Sequence, residues 1–215
     1  MTSFTLPTLP GELSWLNTPR EWRIEPDGGL SITAGEKTDW FIDPNGSFTG
    51  GSAPVALFTP PDGDFMLSAK VTVDFGATFD AGVLFLYGRE DVWAKLCFEF
   101  SPQRRPMVVT VVTRGVSDDC NVVTIDGDSV WLRVSRLGPT FAYHYSADGA
   151  RWHMARYFSL GEAGPIRAGF SAQSPMASRC RAAFFVSRLE TGHAGRPAQR
   201  RVARRVGFER CRWRI

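Results

Sequence analysis

One segment of the chain alternates aromatic and ionisable side chains in a way that could support ligand binding. Within Val92–Phe100, alternate positions are occupied by Trp93, Lys95, Cys97 and Glu99. If the segment is a β-strand, these four side chains project from the same face. An ammonium and a carboxylate can bind hydroxyl groups, and an indole can stack on a sugar ring. The pattern therefore favours a site for a carbohydrate or another small polar metabolite.

A second segment, Val130–Leu137, places Trp131 and Arg133 on one face and apolar side chains on the other. If it lies in the same sheet as Val92–Phe100, the two polar faces form one groove. Asp118 would support that groove, although a Ser-Asp pair is also typical of turns. The alternative is a purely structural arrangement, in which an ion pair is flanked by packing tryptophans.

The predicted ligand-binding residues are Trp93, Lys95, Glu99, Trp131, Arg133 and Asp118. Four further polar residues could extend the groove: Asp39, Thr110, Thr113 and Ser117.

Catalytic signatures are weak, so no catalytic residue is assigned. Glycoside hydrolysis requires two carboxylates, but Glu99 has no acid two or four residues away. The one E-x-D motif, Glu25-Pro26-Asp27, lacks a third acid and has the composition of a turn. Nucleophile-elbow, P-loop and dinucleotide motifs are absent from the sequence. We therefore expect a binding or regulatory module, the alternative being a glycan-active enzyme that uses Glu99 with an acid from another strand.

A predicted hairpin at Asp148-Gly149 brings together two histidines that could be considered as metal ligands. A two-residue turn there would place Tyr145 opposite Trp152 and His144 opposite His153. Two histidines are too few for a zinc site without further ligands. The sequence thus indicates neither a metal site nor a cofactor.

Strand signals dominate the chain and predict an all-β fold. Runs rich in Val, Phe and Trp are separated by Gly-, Pro- and Asp-rich turns at nearly regular spacing, which is typical of two packed antiparallel sheets. Beyond the two segments above, the predicted strands are Phe65–Phe75, Ala81–Tyr87, Met107–Thr113, Phe141–Ser146, Arg151–Phe158, Ile166–Ala172 and Arg181–Leu189.

Several segments resemble the family of unknown function typified by the fungal "regulation of enolase" protein. The similar pieces are Thr38-Asp39-Trp40-Phe41, Gly63-Asp64-Phe65, Asp80-Ala81-Gly82, Trp93-Ala94-Lys95 with Glu99, Val111-Val112-Thr113-Arg114 with Ser117-Asp118, Tyr145-Ser146-x-Asp148-Gly149 with Trp152, and Gly169 with Ala172-Gln173-Ser174-Pro175. The resemblance implies a concanavalin A-like jelly roll over residues 1–190. It also implies either a protein partner in carbon metabolism or a carbohydrate-like ligand. The chain departs from the family pattern after Asp118, where Asp119 and Cys120 replace an aromatic residue.

Charge is distributed unevenly along the 215 residues. Residues 191–215 contain eight Arg and one acid, Glu209, so the body is mildly acidic although the net charge is +3. This tail could bind nucleic acid through phosphate contacts. A solvated, flexible appendage is the alternative, and nucleic acid is not expected to bind elsewhere.

Composition also predicts the compartment. The first residues show no signal-peptide pattern, and no apolar run reaches the roughly 20 residues of a membrane span. The four Cys are widely separated, which is typical of reduced thiols. We therefore expect a cytoplasmic protein with no membrane partner.

Overall fold

The computed structural model describes residues 3–192, except for the side chains of residues 187 and 188. Within them the chain forms strands and turns and no helix. The strands are β1 (Ser3–Thr5), β2 (Glu12–Leu16), β3 (Glu21–Ile24), β4 (Leu30–Gly35), β5 (Trp40–Ile42), β6 (Thr49–Gly51), β7 (Val55–Phe58), β8 (Phe65–Asp74), β9 (Ala81–Arg89), β10 (Val92–Phe100), β11 (Pro106–Arg114), β12 (Val116–Thr124), β13 (Ser129–Leu137), β14 (Thr140–Ser146), β15 (His153–Ser159), β16 (Arg167–Gln173) and β17 (Arg179–Thr191).

Two antiparallel sheets pack face to face. The eight-stranded sheet has the order β1-β2-β7-β16-β9-β10-β11-β12, and the seven-stranded sheet has the order β15-β14-β13-β8-β17-β4-β3. Neighbouring strands within each sheet are often distant in sequence, as in the pairing of β16 with both β7 and β9. The predicted all-β, concanavalin A-like jelly-roll sandwich is confirmed.

The main core lies between the two sheets. Alternate residues of β10, such as Leu96 and Phe98, and of β13, such as Leu132 and Val134, belong to one buried apolar cluster. Burial of each such side chain contributes about 1.5–3 kcal/mol. The same alternation sends the polar residues of both strands to the outer faces of the sandwich.

A second apolar cluster covers part of the outer face of the eight-stranded sheet. Its lid is the segment 38–53, here called the strap, which contains the small β5–β6 sheet. Trp40 of the strap packs edge-on against Phe85 and Trp93. The Ile42 N–H donates to Ser117 Oγ (2.9 Å) and fixes the strap to the edge of the sheet.

Strand β12 was not predicted from the sequence. Because it was overlooked, a turn at Asp118 was considered. The segment is polar because it is an edge strand with most of its side chains in solvent. Asp118 pairs with Val112 in the ladder and lies in the middle of the strand. A turn at Asp118 is therefore excluded.

The hairpin register at Asp148-Gly149 was also predicted incorrectly. The connection between β14 and β15 is longer than two residues, so Tyr145 lies opposite His153 and His144 lies opposite Met154. The Asp148 carboxylate accepts hydrogen bonds from backbone N–H groups within the loop. These bonds stabilise the longer turn, and they lower the pKa of Asp148 to about 2.

Other predictions concern residues that the structure describes only in part. Strand β17 runs to Thr191, and residues 193–215 of the basic tail lie outside the described residues. Nucleic-acid binding by the tail and a cytoplasmic location stay predictions. Cys97, Cys120 and Cys180 are free thiols. In the described part of the chain no helix has the length and apolar character required to cross a bilayer.

Candidate functional site

Lys95 lies at the centre of a charged cluster on the outer face of the eight-stranded sheet. Its Nζ donates to Gln173 Oε1 (2.9 Å) and to Asp39 Oδ1 (3.3 Å), and only 2% of the residue is exposed. Burial alone would lower the pKa of Lys95, but the Asp39 carboxylate and neighbouring acidic groups outweigh it and raise that pKa. The buried ammonium therefore stays charged.

Two neighbouring elements hold the partners of this ammonium. Gln173 is the last residue of β16, and its Nε2 donates to the Phe79 carbonyl (3.0 Å), which turns Oε1 towards Lys95. Asp39 is the second residue of the strap. Just before it, the Thr38 N–H donates to the Ser174 carbonyl (3.3 Å) and the Ser174 N–H donates to the Thr38 carbonyl (3.2 Å). The position of Lys95 is thus set by β16, β10 and the strap together.

Glu99 lies on the same face of β10 and is half-buried. No described residue donates a hydrogen bond to its carboxyl group. Burial raises the pKa of Glu99 to about 8, and the nearby Asp119 and Asp39 carboxylates add to the shift against the attraction of Lys95. At pH 7 this carboxyl group is mainly protonated, so it can both donate and accept a hydrogen bond.

Asp119 brings a third acid to the cluster from the edge strand β12. It pairs with Val111, whose side chain belongs to the apolar cluster of this outer face. Desolvation raises the pKa of Asp119, while Lys95 acts in the opposite direction. The cluster therefore combines one ammonium, one amide and three carboxyl groups.

Trp93 shares the face of Lys95 and Glu99 as predicted, but it is fully buried. Its ring stacks on Phe85 and meets the edge of Trp40 from the strap. The indole N–H donates to the Glu90 carbonyl (3.2 Å). In this structure Trp93 packs beneath the strap and does not present its ring to solvent.

The predicted groove between the two tryptophan-containing strands does not form. Trp131 and Arg133 lie on β13 of the seven-stranded sheet, on the opposite side of the sandwich from Lys95. The Arg133 guanidinium lies 3.5 Å from the ring centre of Trp152, and its Nε donates to Ser68 Oγ (2.9 Å). The assumption that both strands share a sheet was wrong.

His144 lies beside Arg133 on this second outer face. It is buried, and neither ring nitrogen has a hydrogen-bond partner among the residues that the structure describes. Burial and the adjacent guanidinium lower the pKa of His144 to about 4. The imidazole is therefore neutral at pH 7.

Asp118 does not join the Lys95 cluster. Its carboxylate forms an ion pair with Arg156 of β15 (2.8 Å), and its carbonyl accepts from the same guanidinium (3.2 Å). Because successive residues of a strand face opposite ways, Asp118 and Asp119 belong to different sides of the sheet. Asp118 links the edges of the two sheets.

Sequence reasoning found part of this cluster. Alternation placed Lys95 and Glu99 correctly, and Asp39 had been considered as an extension of the groove. Gln173 was visible only as part of the family resemblance. Asp119 was noted only as a departure from the family pattern. Among the described residues, no group of three or more His, Cys, Asp or Glu side chains has the arrangement of a metal site.

Most of the segments that carry the family resemblance meet on this one face. The strap supplies Asp39 and Trp40, β10 supplies Lys95 and Glu99, and β16 supplies Gln173. The Thr113 and Ser117 hydroxyls form a hydrogen bond (2.9 Å) where the strap is anchored. Residues far apart in the sequence thus build one surface.

The fold and the charged cluster define a concanavalin A-like β-sandwich with a candidate ligand site on the outer face of its eight-stranded sheet. Residues 15–191 match the family described as "Protein of unknown function (DUF1349)". The chain belongs to that family.

Solved structures show the same fold at low sequence identity. A functionally unknown protein from Saccharomyces cerevisiae has a TM-score of 0.75 and 22% identity over 84% of this chain and 97% of that one. The GH43 protein BlXynB from Bacillus licheniformis has a TM-score of 0.62 and 14% identity over 80% of this chain but 35% of its own. A xylan beta-1,4-xylosidase from Bacillus halodurans has a TM-score of 0.62 and 11% identity over 85% of this chain and 40% of its own.

This chain therefore spans well under half of either of those two enzyme-related proteins. No curated protein matches the chain significantly.

Proposed function

We propose that this protein is a binding module for a neutral, carbohydrate-like molecule, held by the cluster around Lys95. The observation that carries the proposal is the position of Glu99. Its carboxyl group reaches solvent on the same face as Lys95 and has no hydrogen-bond partner among the described residues, and burial raises its pKa to about 8. A protonated carboxyl group offers a donor and acceptors together, which matches a sugar hydroxyl.

The rest of the cluster favours a neutral ligand with several hydroxyl groups. Lys95 is already paired with Asp39 and Gln173, so it has little capacity left for a ligand anion. The acidic groups of Asp39 and Asp119 disfavour further negative charge at the cluster. Because the fixed hydrogen bonds hold Asp39 and Gln173 in place before a ligand arrives, binding requires little reorganisation.

A regulatory role through a protein partner in carbon metabolism is the other form of this proposal. It is supported by the sequence resemblance described above. Its surface would be the same outer face, because the matching segments meet there. This form would be favoured if the wild-type protein binds no saccharide but captures a protein partner, and if the Glu99→Ala variant fails to capture that partner.

Glycan cleavage is a second candidate function, and one observation favours it. Acids from two other elements, Asp39 and Asp119, act electrostatically on the protonated Glu99. Glycoside hydrolysis requires at least a general acid and a second carboxylate. Glu99 would then be the general acid.

The test begins with the full chain and a panel of saccharides and central-carbon metabolites. Xylobiose and cellobiose are the first probes, because some solved structures of this fold come from GH43 and xylosidase proteins. Thermal shift detects binding, since a ligand of the folded state raises its stability. Reducing-sugar release on xylotetraose and cellotetraose detects cleavage.

Three variants separate the candidate functions. A binding module predicts that Glu99→Ala weakens saccharide binding at least about tenfold, whereas Asp118→Asn leaves it unchanged. An enzyme predicts that Glu99→Gln binds substrate but loses turnover. Wild-type protein that neither binds nor cleaves any saccharide in the panel would refute both saccharide-based candidates.

A further inference from the structure

The buried position of Trp93 leaves the cluster without the aromatic surface that the sequence predicted for it. Carbohydrate sites usually combine hydroxyl-binding groups with a ring that covers the apolar face of the sugar. The turn before β9 carries an exposed aromatic residue, Phe79, with 40% of its surface in solvent. No other aromatic ring of the described residues stacks on it.

The backbone of Phe79 is tied to the cluster on both sides. Its carbonyl accepts the Gln173 amide that also contacts Lys95. Its N–H donates to the carbonyl of Phe100, the residue that follows Glu99 (2.7 Å). Phe79 therefore lies where β16 and β10 flank the start of β9, next to Glu99 and Gln173.

The conformation of Phe79 is also unusual. Its φ is +69°, in the left-handed region where a bulky side chain is strained and Gly or Asn is preferred. The turn is fixed in this shape by Asp80, whose Oδ2 accepts the N–H groups of Gly76 and Ala77 (2.9 Å each). A glycine would adopt this positive φ with less strain. Because the Phe79 ring is exposed, its burial contributes little stability to offset that strain.

Strained residues that the surrounding structure holds in place are concentrated at ligand sites. Resting on the function proposed above, we infer that Phe79 is the stacking platform of the site and that the ligand is a cyclic saccharide. The ring covers the apolar face of a pyranose whose hydroxyl groups contact Glu99. Phe79 thus makes the site prefer ring sugars over open-chain polyols with similar hydroxyl groups.

The test compares two probe pairs, xylobiose with xylitol and cellobiose with sorbitol, by calorimetric titration of the full chain. Wild-type protein should bind at least one disaccharide about tenfold more tightly than its polyol. Phe79→Gly should lose that preference while its melting temperature stays equal or rises, because glycine accepts the positive φ. Phe79→Tyr should keep the preference.

Two controls make the result specific to Phe79. Phe185 is similarly exposed, at 43%, but lies on β17 of the other sheet, so Phe185→Ala should leave binding unchanged. Phe79→Asn provides a second residue that tolerates positive φ if the glycine variant folds poorly.

The outcomes distinguish this inference from the proposed function. If the wild-type protein binds a disaccharide and both Phe79→Gly and Phe79→Asn bind it equally well, the stacking role is wrong and the binding module stands. If the wild-type protein binds neither the disaccharides nor the polyols, both proposals fail.

Discussion

The two outer faces of the sandwich carry nearly the same sequence motif with opposite results. Trp93 and Lys95 are separated by one residue on β10, as are Trp131 and Arg133 on β13. On the first face the strap covers both side chains and places Asp39 beside the ammonium. On the second face Arg133 stacks on Trp152 from a nearby loop. The comparison shows that covering segments, and not the strand motif, decide what such a face can do.

The largest expected difference between the faces is in the stability contributed by the two cations. Lys95→Met removes the buried partner of Asp39, and we expect it to cost about 3 kcal/mol of unfolding free energy. Arg133→Met removes a stacked guanidinium nearer solvent and should cost about 1 kcal/mol. Urea denaturation of both variants measures the difference. Equal losses would contradict the distinction between a buried and a stacked cation.

Ionisation of Glu99 should contribute to the pH dependence of the unfolding free energy. With a pKa of about 8 in the folded protein and 4.5 as reference, the folded state keeps a proton that the unfolded state releases. Stability therefore falls as pH rises from 4.5 to 8. Glu99→Gln should remove this loss and be more stable than wild type at pH 8 by on the order of 2 kcal/mol. A variant with the same pH slope as wild type would show that Glu99 ionises normally.

On the second face, His144 should produce the opposite slope. Its pKa of about 4 in the folded protein lies below the reference value of 6.5, so the unfolded state takes up a proton first. Stability then falls as pH decreases from 6.5 to 4. His144→Gln should reduce that fall by roughly 1–2 kcal/mol, measured by denaturation at pH 7 and pH 4.5. An unchanged profile would mean that His144 is accessible to protons.

The smallest expected effect is on the pKa of Glu99, which should respond differently to removal of the adjacent acids Asp118 and Asp119. Asp119→Asn removes a carboxyl group that raises the pKa of Glu99, so that pKa should fall by up to about one unit. Asp118→Asn removes the ion pair with Arg156 and should leave Glu99 unaffected. Carbon-detected NMR titration of the Glu99 carboxyl group measures both. Equal effects of the two variants would contradict the assignment of these residues to opposite faces.

Much of the fold was predictable because long strands show a clear alternation of apolar and polar residues in the sequence. Strand β10 was predicted with its observed bounds, and β13 differs by one residue. Short strands such as β5 and β6 were missed because three residues carry too little pattern. Strand β12 was missed because an edge strand can be polar on both faces.

The site was predictable only where its residues share a strand. Lys95 and Glu99 could be placed on one face by alternation. Asp39 and Gln173 reach Lys95 from 56 and 78 positions away, and no local pattern encodes such contacts. Assigning Arg133 to the same groove failed because strand order within a jelly roll depends on long-range pairing.

The most direct test of the ligand site is a ¹⁵N NMR titration of the full chain with the disaccharide that gives the largest thermal shift in the xylobiose and cellobiose screen. We predict that amide signals of Phe79, Glu99 and Gln173 shift together in a saturable manner, while those of Arg133 and His144 stay fixed. Saturable shifts confined to Arg133 and His144 would contradict the account and place the ligand on the seven-stranded sheet.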